Sequence, residues 1–150
     1  MNEFMENKAV DILLIEDNMN DAELTIRSLR KAKINNKLIH LKNGAEAIDF
    51  LFGNRNLEGR EHKIQPKLIL LDLKMPKIDG LEVLSRIKSD PRTKAIPVVM
   101  LTSSKEHPDI ERAYMLGANS YIVKPVEYDE FVKTVSSLSF YWLLMNQSHA

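Results

Sequence analysis

Two unbroken apolar runs, Leu68-Ile69-Leu70-Leu71 and Val98-Val99-Met100-Leu101, constrain the fold most strongly. A strand with one wet face alternates apolar and polar residues. A continuous apolar run instead suits a strand covered on both faces, as in a parallel sheet. Strands are predicted over 10–15, 37–41, 67–71, 96–101 and 120–123. Amphipathic segments lie between them. Ala22, Ile26 and Leu29 recur at helical spacing, as do Gly80, Val83, Leu84 and Ile87, and Ile110, Ala113, Tyr114 and Gly117. Asp79 with Glu82 three residues on has the form of a capping box, and Asp90-Pro91 marks that helix's end. The expectation is five βα units in one doubly wound α/β domain spanning 1–150, with a core of about 8–140 and no internal linker or repeat.

Two stretches exceed what this architecture needs. Residues 53–65 are polar, contain two glycines, and are expected to form a solvated loop. The last helix carries a stripe of Phe131, Val135, Leu138 and Trp142, and its end (Phe140, Tyr141, Leu143, Leu144, Met145) is apolar nearly all round. One helix on a sheet cannot bury every face, so this end reads as a partner surface.

Composition removes several classes of function. Formal net charge is zero, so nothing points to nucleic acid or an acidic membrane. The absence of cysteine excludes disulfides, thiol catalysis and thiolate zinc sites, and suits a cytoplasmic location. No apolar run is long enough to span a bilayer, and residues 1–8 lack the order of a signal peptide.

The chemistry-bearing residues sit at strand ends. Glu16-Asp17 ends the first strand, Asp72 the third, Thr102-Ser103-Ser104 the fourth and Lys124 the fifth. In open parallel sheets ligands bind beyond the carboxyl ends of the strands, where the winding reverses. Two unit charges ~4 Å apart repel by roughly 4 kcal/mol at an effective dielectric of ~20. Three clustered carboxylates therefore need a compensating cation. Mg²⁺ suits them, since it takes one or two carboxylates plus phosphate oxygens. Lys124 adds a point charge for a phosphoryl group, Thr102 a hydroxyl, and Asp72 is the expected nucleophile.

Other chemistries lack their motifs. The histidines (His40, His62, His107, His149) show no metal-ligand spacing, and there is no Walker loop, dinucleotide fingerprint or Gly-x-Ser-x-Gly elbow. An aspartyl-phosphate enzyme of the haloacid-dehalogenase type is an alternative. Such an enzyme wants a general acid two residues after its nucleophile, where this chain has Lys74. An interaction module indifferent to phosphate is a second alternative.

Taken in order, Leu-Leu-Ile-Glu-Asp (13–17), Leu-Leu-Asp-Leu-Lys-Met-Pro-Lys-Ile-Asp-Gly (70–80), Met-Leu-Thr-Ser (100–103) and Tyr-Ile-Val-Lys-Pro (121–125) resemble a response-regulator receiver domain of two-component signalling. The resemblance implies a flavodoxin-like five-stranded parallel sheet of order 2-1-3-4-5. It further implies phosphorylation of Asp72 by a sensor histidine kinase. Mg²⁺ would be held by Glu16, Asp17, Asp72 and the backbone carbonyl of Lys74. Thr102 and Tyr121 would be the switch pair, and the peptide before Pro125 would be cis. The long loop and the Phe-Tyr-Trp-Leu end are similar to stand-alone receivers paired with bacterial phytochrome kinases. That similarity implies a homodimer through Phe140, Tyr141, Trp142 and Leu144.

Overall fold

The computed structural model describes residues 10–31, 37–53, 65–103 and 106–124, with positions 129, 130, 133 and 137. Its elements alternate: β1 (Ile12–Ile15), α1 (Met19–Lys31), β2 (Leu38–Leu41), α2 (Gly44–Phe52), β3 (Leu68–Leu71), α3 (Gly80–Ser89), β4 (Val98–Thr102), α4 (His107–Met115) and β5 (Ser120–Val123). All strand pairs are parallel, and the order is β2-β1-β3-β4-β5. The expected architecture is therefore present. Most of the expected last helix, all of its apolar end, Pro125, and nearly all of loop 53–65 fall outside the described residues.

The apolar runs divide by parity between two cores. Leu13, Ile15, Ile69, Leu71, Val98 and Met100 face α2, α3 and α4, where they meet Ala47, Leu51, Val83, Leu84, Ile87 and Ala113. Ile12, Leu14, Leu68, Leu70, Val99, Leu101 and Ile122 face the opposite way, onto Ala22 and Leu29 of α1. The central strands thus need apolar residues at every position, and truncating one to Ala costs about 2–5 kcal/mol.

Strand boundaries shift by one or two residues from expectation, for local reasons. Pro97 has no N–H, so β4 begins at Val98, whose own N–H is taken by Asn119 Oδ1 at 2.8 Å. At its other end β4 runs on through Thr102. Asp79 Oδ1 accepts from the Glu82 N–H at 3.0 Å, as the capping signal predicted. An N-cap at α2, with the Glu46 side chain reaching back to the residue before the cap, escaped the sequence reading. There Asn43 Oδ1 accepts from the Glu46 N–H (2.8 Å), and Glu46 Oε1 accepts from the Lys42 N–H (2.7 Å). The expected inward stripe of α4 is wrong by part of a turn. Ala113 is buried and Leu116 packs on the core, but Tyr114 is 49% exposed. A nine-residue helix with a single small inward residue has a narrow buried line, and Tyr114 lies one step around from it.

Gly80 sets how closely α3 approaches the β3–α3 loop. A Cβ there would collide with the carbonyl of Asp72 and the backbone of Leu73, and the Gly80 N–H donates to the Leu73 carbonyl at 2.7 Å. At the opposite end of the sheet, Lys88 satisfies all three of its ammonium donors. It bonds the carbonyls of Lys94 (3.0 Å) and Ile96 (2.7 Å) and Asn119 Oδ1 (3.2 Å), although burial pulls its pKa down.

Candidate phosphoacceptor and metal site

The ladder itself places the acids. Ile15 pairs with Leu71 in register, and the Asp72 N–H donates to the Ile15 carbonyl at 3.0 Å. The pairing continues one residue past both strands and sets Glu16 beside Asp72. On the other edge Thr102 pairs with Val123, and the Lys124 N–H donates to the Thr102 carbonyl at 2.7 Å. Glu16, Asp72 and Lys124 keep the parity of Leu14, Leu70 and Ile122, so their side chains belong to the face covered by α1.

Glu16, Asp17 and Asp72 each bring a carboxylate oxygen within 4.8 Å of the other two. Mg²⁺ binds oxygen at about 2.0–2.1 Å, so opposite ligands in an octahedron lie ~4.2 Å apart, and this donor set fits such an ion. Glu16 and Asp72 are buried, and Asp17 is the most exposed of the three. Lys124 Nζ donates to Glu16 Oε1 at 2.8 Å and stands 3.9 Å from Asp72 Oδ1. Burial pushes the Glu16 carboxyl up to about 7, against the opposing pull of Lys124, and raises Asp72 for the same main reason. Burial works against the Lys124 ammonium, but its hydrogen bonds to Asp21 and Glu16 outweigh this and hold it above the usual lysine range. One lysine does not neutralise the cluster, and a hard divalent cation would.

Of the site residues read from the sequence, Pro125, Phe140, Tyr141, Trp142 and Leu144 lie outside the described residues, and the others can be placed. Thr102 is buried at the end of β4. Tyr121, half-buried on β5, pairs with Met100 and packs on the first core. Lys74 follows Asp72 by two residues and points its ammonium at Asp109, 4.0 Å away. Lys77, in the same loop, has a φ of 68°, a left-handed conformation unusual for a lysine. Two neighbours were missed. Asp21 Oδ2 accepts from Lys124 Nζ at 2.8 Å, and His40 Nε2 lies 2.8 Å from the Glu16 carbonyl oxygen. The signal for Asp21 was its position in the first turn of the helix that Glu16-Asp17 leads into. His40 carried no signal beyond its place on an edge strand.

The response regulator receiver domain profile matches residues 12–136. This chain belongs to the response-regulator receiver family. The receiver is 42% identical over 137 residues to a probable methanogenesis regulatory protein, FilR2, of Methanothrix harundinacea, covering 91% of this chain and 86% of that one. It is 40% identical over 133 residues to response regulator Rcp1 of Synechocystis sp., covering 88% of each. Among solved structures, the phosphorylated cyanobacterial phytochrome response regulator RcpA superposes with a TM-score of 0.80 at 36% identity, over 93% of this receiver and 97% of that chain. A Mn²⁺-bound form of response regulator Rcp1 gives 0.76 at 38% identity, over 90% and 95%. No helix among the described residues is long and apolar enough to cross a membrane.

Proposed function

We propose that this receiver accepts a phosphoryl group on Asp72 from a sensor histidine kinase and passes the signal on as a changed protein-binding surface. One observation carries the reading: three carboxylates and a lysine converge at the carboxyl edge of the sheet, between β1 and β3, where the winding reverses. An Asp72 oxygen attacks the phosphorus of a phosphohistidine. The P–N bond breaks as the P–O bond forms, and the imidazole nitrogen keeps the electron pair. Glu16, Asp17, Asp72 and the Lys74 carbonyl would hold Mg²⁺, which when bound would supply positive charge at the site of transfer. The new group brings about −1.5 to −2 of charge, by analogy with phosphoserine. Lys124 and the Thr102 hydroxyl close on it, and Tyr121 follows Thr102 inward. The receiver turns over no external substrate. Lys74, an exposed cation 4.0 Å from Asp109, stands where a haloacid-dehalogenase would hold its acid.

The kinase partner we favour is of the phytochrome type, on the likeness to RcpA. The likeness to FilR2 keeps other sensors in the same phosphotransfer scheme. A homodimer forms through the C-terminal apolar end (Phe140, Tyr141, Trp142, Leu144). The deciding experiment is phosphorylation by acetyl phosphate with Mg²⁺, followed by intact mass. The wild-type protein gains one phosphoryl group, and Asp72→Asn gains none. Labelling that persists in Asp72→Asn removes the assignment.

A further inference from the structure

Lys124 is held away from the residue it is meant to serve. Its ammonium has three donors, and two of them go to Glu16 Oε1 and Asp21 Oδ2, each at 2.8 Å. Asp72 Oδ1, at 3.9 Å, lies beyond hydrogen-bonding reach. Asp21 is outside the three-carboxylate cluster and is not needed to hold a metal. Its backbone is pinned: its N–H donates to Asn18 Oδ1 at 2.9 Å, and its carbonyl accepts from Thr25 Oγ1 at 3.0 Å. The carboxylate therefore projects from a fixed point on α1. Its side chain is 38% exposed, against 11% for Lys124 and 1% for Glu16. Water can rehydrate Asp21 when it releases the ammonium, whereas Glu16 has no such compensation.

We infer that Asp21 is the resting counter-ion of Lys124, drawing it toward α1 until a phosphoryl group on Asp72 competes for it, and so setting the balance between cation and phosphoryl binding. This rests on the reading of Asp72 as phosphoacceptor. The consequence has an unusual sign pattern. Neutralising Asp21 leaves Lys124 less compensated, which makes the site more positive. A divalent cation then binds more weakly and a phosphoryl group more tightly. Plain loosening of the fold would weaken both.

The test uses Asp21→Asn, which keeps an acceptor oxygen and nearly the same shape, and Asp21→Ala. Calorimetry gives the Mg²⁺ affinity alone, then the beryllofluoride affinity at saturating Mg²⁺. Glu23→Gln, an exposed acid on the same helix, controls for net charge. In both Asp21 variants the Mg²⁺ Kd should rise about three- to tenfold and the beryllofluoride Kd should fall by a similar factor, with Glu23→Gln within about twofold of wild type. Parallel weakening of both ligands, unchanged affinities, or an equal split in Glu23→Gln overturns the role of Asp21. Wild-type protein that binds neither Mg²⁺ nor beryllofluoride overturns the phosphoacceptor reading, and this inference with it.

Discussion

Glu16 shows how one residue couples acidity and stability and, in the proposed site, metal binding. Its carboxyl is 1% exposed and is pushed up to about 7, against 4.5 for the free group. Between these values the folded protein holds a proton that the unfolded chain has lost, so metal-free stability falls as pH rises through the window. A shift of this size corresponds to about 3 kcal/mol at most, and sharing with Asp72 reduces what either residue contributes alone. Urea unfolding in excess chelator should therefore give a lower midpoint at pH 8 than at pH 5.5. Glu16→Gln should flatten the slope, and saturating Mg²⁺ should reverse it by favouring the ionised form. A metal-free midpoint that rises with pH would contradict the burial argument. Asp17 is the most exposed of the three clustered acids, and on the proposed reading its role is simpler: Asp17→Ala should weaken Mg²⁺ at least tenfold while shifting the unfolding midpoint little, which calorimetry and urea titration together would show.

At the scale of elements, the site depends on backbones that approach closely. Gly80 lets the start of α3 lie against the carbonyl of Asp72, and any Cβ there would strike main chain rather than a flexible side chain. Gly80→Ala should destabilise by about 2 kcal/mol or more, measured by denaturant unfolding, and should also slow phosphorylation because the loop carrying Asp72 must shift. Gly80 was legible as one position of a helical stripe, but its close approach to the Asp72 carbonyl was not, since periodicity gives a face and no distance. Lys88 plays the corresponding part at the far end. It ties α3 to the segment before β4 and to Asn119 before β5. Lys88→Met should cost about 1 kcal/mol, chiefly by taking a donor from the part-buried Ile96 carbonyl, with Mg²⁺ affinity unchanged. The α4 stripe was misread for a related reason. Tyr114 and Ala113 are adjacent in sequence, and only packing against the neighbouring helix and strand chose which of them faces inward.

For the whole molecule, the proposed output is a surface rather than a product, and the proposed dimer is where that surface would be read. Truncation before Phe140 should shift a concentration-dependent dimer toward monomer in sedimentation, while leaving acetyl phosphate labelling of Asp72 intact. A monomer both before and after truncation would remove the C-terminal end from the scheme. The order of elements, the two-faced burial of β3 and β4 and the three acids with Lys124 were all readable in advance. They depend on period-two and period-3.6 patterns and on residues that stop strands, and such information is local. Which carboxylate Lys124 pairs with was not readable. Parity sends Lys124 to the α1 face, and the packing of α1 on that face brings Asp21 to within 2.8 Å across 103 residues of chain. A sequence can name charged groups at strand ends. Their partners depend on distances that exist only once helices have packed on the sheet.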